Sequence, residues 1–212
     1  MGDQIDQADE VSDISVEDAV DAMQADQEGL PDPNLGGGGS RMREFTTDDI
    51  DSRMLPKYAQ YGYIGAIPSD KIKDIDPNKA DTVSFVMNTD PSTKPGRHWV
   101  AVFINFINDR FGGPSVEYVD SFGEPPTKAV IQQIKQLVKK RRGLTAFLKF
   151  KVNQHEYQRE NSITCGGHAM GFIASRYGRK SFKEATHFTS KEAAEKVAKK
   201  QMRSSPKTFG YI

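Results

Sequence analysis

Apolar residues change their spacing from stretch to stretch along this chain, and each change marks an element. Ile50, Met54 and Leu55 fall on one helical face behind Thr46 and Thr47, which stand before Asp48 and Asp49 as a helix start. The pattern predicts a capped helix ending near Pro56. Residues 83–87, 99–106 and 116–119 are β-branched and aromatic runs of strand length, and 109–115, with Gly112-Gly113-Pro114, reads as the turn between the last two. From Thr127, the residues Val130, Ile131, Ile134, Leu137 and Val138 recur at helical spacing, with Gly143 as the stop. Residues 144–152 alternate as a further strand. Residues 165–176 are small and apolar almost all round, as in a centrally buried helix. Thr189, with Glu192 as its capping partner, opens a last helix carrying Ala193, Ala194, Val197 and Met202. These elements predict an α+β fold: a central mixed or antiparallel sheet packed against helices.

A chain of 212 residues allows one domain with an appendage, or two small ones. The longest clean apolar run, 99–104, falls far short of the roughly 20 residues that a bilayer requires, and Met1 opens an acidic segment with no basic n-region. A soluble protein without signal peptide or membrane span is expected. The zero net charge hides a division. Residues 1–40 hold eleven acids and no Lys or Arg, so the remainder carries 29 basic and 18 acidic residues, a net of +11. Such a body attracts polyanions, its own tail included. Within the tail, Ser15 and Asp18 form a capping pattern ahead of Val16, Ala19, Val20 and Met23, a short amphipathic helix suited to docking. Residues 29–40 are rich in proline and glycine and read as a linker, whose Gly36 to Ser40 unit is also a composition used to join proteins artificially. The expected division is an acidic, largely flexible tail at 1–35, a glycine-rich linker at 36–40 and a globular domain at 41–212.

One cysteine, Cys165, excludes an internal disulfide and suits a reducing intracellular compartment. It stands where the polar stretch from Asn161 enters the buried helix, and a helix N-terminus favours an anion such as a thiolate. Gly166 and Gly167 keep side chains away from the sulfur and leave backbone amides free, as an oxyanion hole requires. Free cysteines are also common core filler. A nucleophilic thiol needs a base, and the base an orienting partner. Of His98, His155, His168 and His187, His98 opens a hydrophobic strand whose expected neighbour ends at Asp120. An acid held against one ring nitrogen leaves the other facing the thiol.

His98-Trp99 opening a strand, Asp120-Ser121 closing the next, Gln158 seven positions before Cys165, and Cys165-Gly166 leading a hydrophobic helix resemble the adenovirus-type endopeptidase and its relatives, the SUMO-deconjugating proteases. The similarity covers roughly residues 45–178. It implies an adenain-like fold and a cysteine-type endopeptidase with His98 as base, Asp120 orienting it and Cys165 attacking the carbonyl. Gln158 and the Cys165 amide would stabilise the oxyanion; Gln154, eleven positions upstream, is the poorer candidate. It further implies cleavage after small, Gly-Gly-type residues in a narrow channel beside Trp99 and Gly166, with viral capsid or core precursors as substrates and the virion or infected-cell cytoplasm as location. No metal or other cofactor is implied; an activating peptide or DNA would bind noncovalently, because no second cysteine exists to link it. Leu35-Gly36-Gly37-Gly38 is similar to such a cleavage site and is a candidate for self-cleavage.

Two other functions compete. A deconjugase would remove a ubiquitin-like or SUMO-like modifier ending in Gly-Gly. A nonenzymatic zinc or nucleic-acid module would use Cys165, His168 and His155 as ligands, although the spacing is loose for zinc. Lys135, Lys139, Lys140, Arg141 and Arg142, with Lys196, Lys199, Lys200, Arg203 and Lys207, are cations at helix ends that could meet nonspecific DNA.

Overall fold

The computed structural model describes residues 43–144 and 147–203. The acidic tail, its helix at 15–23, the linker with its glycine site, and Lys207 lie outside the described residues. Helix α1 (Thr47–Tyr58) leads through a short 3-10 turn to β1 (Tyr63–Pro68), β2 (Thr82–Asn88), β3 (Trp99–Asn105) and β4 (Ser115–Val119). Then follow α2 (Lys128–Lys139), β5 (Lys149–Val152), α3 (Cys165–Tyr177), α4 (Phe182–Thr186) and α5 (Lys191–Arg203). The strands lie side by side in chain order; β2–β3 and β3–β4 are antiparallel, β1–β2 and β4–β5 parallel. The expected α+β fold with a mixed sheet is what the chain forms.

Strand β3 is buried along its whole length and lies at the centre. Ala101 and Phe103 join the core under α1, α3 and α5, whereas Val100, Val102 and Ile104 join the core under α2. Burying each large side chain of this set stabilises the fold by about 1.5–3 kcal/mol. Three layers result, with α3 against one face of the sheet.

Local chemistry explains the starts. Thr46 caps α1: its hydroxyl accepts from the Asp49 amide at 3.3 Å while the Asp49 carboxylate accepts from the Thr46 amide at 2.9 Å. Helix α1 ends at Tyr58, two residues past Pro56, whose ring lacks the N–H that would bond four residues back. Strand β1 was not legible. Gly65, at φ 122°, sits where the register against β2 slips between Tyr63 and Ala66, and Pro68 closes the strand. Both residues read as breakers, yet a bulged edge strand accommodates them. The strand expected over 144–152 is paired only from Lys149, and Phe147 stands fully exposed. The cap of α5 is Ser190, not Thr189: its hydroxyl accepts from the Ala193 amide at 3.2 Å.

Helix α3 approaches α5 closely. A Cβ at Gly167 would lie 2.6 Å from the Ala198 carbonyl oxygen, so only glycine fits. This corrects the reading of Gly167 as a residue that clears the approach to the thiol. At the far end of α3, buried Arg176 donates to Glu117 of β4 from Nε at 2.6 Å and from Nη2 at 3.1 Å. Lys151 adds a third bond to Glu117 at 3.0 Å, so helix and sheet are tied by charge as well as by apolar contact.

Candidate active site

His98 immediately precedes β3 and Asp120 immediately follows β4. Because Ala101 pairs with Val119, the antiparallel register brings both residues to one end of the sheet. His98 Nε2 lies 2.9 Å from Asp120 Oδ1, and the Phe122 amide donates to the same oxygen at 2.7 Å. Asn153 grips the Asp120 backbone, its Oδ1 accepting from the Asp120 amide at 2.9 Å and its Nδ2 donating to the Asp120 carbonyl. The Phe122 ring lies 5.1 Å from the imidazole. The carboxylate is 2% exposed and the ring 16%, so water competes little for their bond.

With Nε2 held by Asp120, Nδ1 is the nitrogen left for Cys165, which is close enough to raise the ring's pKa. Burial alone would lower the His98 pKa. The bond to Asp120, with the further electrostatic pull of Asp120 and the neighbouring Cys165, overrides it and pushes the pKa up to about 9. The ring is therefore imidazolium at neutral pH.

Cys165 is half-buried at the head of α3. Thr164, in the cap position, makes no side-chain cap to the helix; its hydroxyl donates instead to Glu195 of α5 at 2.9 Å. The first-turn amides, with no carbonyl partners inside the helix, thus lack the usual side-chain cap. Gly166 is buried: a Cβ there would lie 3.3 Å from Phe45 Cβ and 3.5 Å from Trp99 Cδ1. Trp99, 9% exposed, donates from its indole to the Phe45 carbonyl at 2.8 Å. Trp99 and Gly166 are thus packed against each other directly beside Cys165.

Gln158 is buried, and its carboxamide is fixed at both ends: Oε1 accepts from the Ser121 hydroxyl and Nε2 donates to the Ser162 carbonyl. The Ser121 carbonyl accepts from the Tyr157 and Gln158 amides, both at 2.9 Å. Gln154 is exposed. His168, also buried, faces Glu195 at 3.5 Å; burial lowers its pKa against the pull of that carboxylate, which leaves it neutral. His155 and His187 are exposed. Among the described residues no three of His, Cys, Asp and Glu gather as a metal-holding group, so the zinc arrangement of Cys165, His168 and His155 does not form.

Sequence reasoning missed Ser121 as the hydroxyl that fixes Gln158, Asn153 as the clamp on Asp120, and Glu195. All three bonds span 30 residues or more along the chain, beyond any local pattern. Of the expected DNA-facing cations, Arg141 is committed to the Pro77 and Ala80 carbonyls and to Asp81, all within 2.8 Å. Lys135, Lys139, Lys196, Lys200 and Arg203 are exposed.

Residues 41–206 match the model of the Ulp1 protease family, C-terminal catalytic domain. A protein of Acanthamoeba polyphaga mimivirus bearing a thiol protease name is 30% identical over 64% of this chain and 49% of its own length. A cysteine protease of African swine fever virus is 33% identical over 52% of this chain and 38% of its own. The chain thus spans less than half the length of these two relatives. The crystal structure of an African swine fever virus protease superposes with a TM-score of 0.59 at 20% identity, covering 74% of this chain and 65% of that one, which establishes a shared fold. With most of its length accounted for by that one catalytic-domain model, the chain belongs to the Ulp1 protease family.

Proposed function

We propose that this protein is a viral cysteine endopeptidase in which Cys165 is the nucleophile, His98 the acid–base and Asp120 the group that orients and charges the ring. The observation that carries this reading is the single imidazole held between a buried carboxylate and the thiol at the head of α3. Cys165 thiolate attacks the scissile carbonyl carbon, and the oxyanion is met by the Cys165 amide and Gln158. The Gln158 Nε2 group uses one hydrogen on Ser162, which leaves its second for the oxyanion. His98 then gives its proton to the departing amine, and water releases the acyl group from sulfur.

In this reading the substrates are capsid or core precursors cut after Gly-Gly-type sites, in the virion or infected-cell cytoplasm. The packing of Trp99 on Gly166 favours a substrate without bulk beside the thiol. The domain is 41–212, and the acidic segment before it is a ligand for the basic body. A peptide ending in Gly-Gly with an electrophilic terminus should label Cys165, His98→Ala should abolish labelling and His168→Ala should spare it. The reverse pattern would refute the assignment of the base. A second reading is favoured by one observation: a relative from African swine fever virus, 32% identical over 52% of this chain, is named a SUMO-1 cysteine protease. Release of a SUMO-type modifier from a conjugate, faster than cleavage of a Gly-Gly peptide, would establish that alternative.

A further inference from the structure

Glu195 lies on α5, remote in sequence from every residue assigned a chemical role, yet it reaches the segment between two of them. It is 4% exposed. Its Oε1 accepts from the Arg159 amide at 3.3 Å and from the Thr164 hydroxyl at 2.9 Å. Arg159 directly follows Gln158, and Thr164 directly precedes Cys165. One carboxylate oxygen therefore holds both ends of the segment that joins the oxyanion donor to the nucleophile. Between those ends, Ser162 and Thr164 share a hydroxyl bond at 2.6 Å, and the Ser162 carbonyl accepts from Gln158.

Two features argue against mere packing. Glu195 Oε2 is buried with no hydrogen-bond partner, and the nearest cation, Lys199 Nζ, lies 3.9 Å away. A group kept only for stability would do better as an apolar residue of like size. In addition, Thr164 stands at the cap position of α3 but turns its hydroxyl to Glu195, and no side-chain cap covers the amides at Cys165.

We propose that Glu195 is a positioning residue that sets the distance between Gln158 and Cys165. This rests on the roles given above to those two residues. Without the carboxylate, the 159–164 segment loses the two bonds that Glu195 makes to its ends. The thiol and its ring partner are untouched, so the defect belongs to the step that builds the oxyanion.

The test uses the full chain with Glu195→Ala, Glu195→Gln and Thr164→Val. It measures kcat and KM on a Gly-Gly peptide amide, the rate of Cys165 alkylation by iodoacetamide, and thermal stability. A displacement of about 1 Å at a reacting centre lowers rates by about 10²-fold, which is the loss of kcat expected for Glu195→Ala at little-changed KM. Alkylation forms no oxyanion and should stay near the wild-type rate. Glu195→Gln keeps an acceptor oxygen and should restore most of kcat; Thr164→Val, which cuts one anchor, should fall between. Loss of alkylation in step with kcat, or Glu195→Gln as poor as Glu195→Ala at equal stability, would overturn the inference. If Glu195→Ala does not fold, an unchanged kcat in Thr164→Val overturns it. A wild-type activity that survives Cys165→Ser would instead sink the assignment of the nucleophile, and this inference with it.

Discussion

Asp120→Asn removes a charge while keeping an oxygen that can accept from His98 Nε2 and from the Phe122 amide, so it isolates electrostatics from geometry. The His98 pKa stands at about 9 against an ordinary 6.5. That difference amounts to roughly 3 kcal/mol of preference for imidazolium, with little solvent screening at a ring so enclosed. Burial opposes this preference, and in the variant only Cys165 and the retained hydrogen bond to a neutral acceptor are left to counter it. The ring pKa should fall by about one to two pH units. Since His98 must carry a proton to the leaving amine, wild-type kcat/KM on a peptide amide should decline above about pH 9, and the variant should decline nearer neutrality. Stability follows the same sign. The folded pKa lies above the unfolded one, so the contribution is fully present below about pH 6.5 and is lost as pH rises through about 9. The assay is a pH series of kcat/KM with urea unfolding at pH 6 and pH 9.5. An alkaline limb that stays near pH 9 in Asp120→Asn would refute the claim that Asp120 holds the ring charged.

Three other variants probe separate parts of the molecule. Gln158→Ala should lower kcat about 10²- to 10³-fold with a modest change in KM, and full activity would remove Gln158 from the oxyanion hole. Gly167→Ala should lose about 1–3 kcal/mol, because its methyl meets the Ala198 carbonyl; a melting temperature equal to wild type would mean that α3 and α5 separate freely. Arg176→Met should cost about 3–5 kcal/mol in urea titrations by leaving buried Glu117 with only Lys151 and the Ser115 hydroxyl, and a loss under about 1 kcal/mol would show that these two suffice.

What could be read from the chain followed its range of interaction. Helices α1, α2 and α3 and strands β2 to β4 write their burial into local spacing, since each exposes a stripe or face to a core. Strand β1 escaped because Gly65 and Pro68 are breakers everywhere except on a bulged edge. The placement of His98 and Asp120 at neighbouring strand ends needed only one turn and one antiparallel register, both of which leave marks. The Arg176–Glu117 pair and the grip of Glu195 on Thr164 left none, because a charge in a helix reads as a solvated face until its distant partner is known. For the same reason Arg141 looked like a cation awaiting phosphate and proved to be a brace for backbone carbonyls.

The bond from Trp99 to the Phe45 carbonyl moors the incoming chain next to the head of α3. Because Phe45 also packs against Gly166, the segment joined to it enters the fold beside the nucleophile rather than away from it.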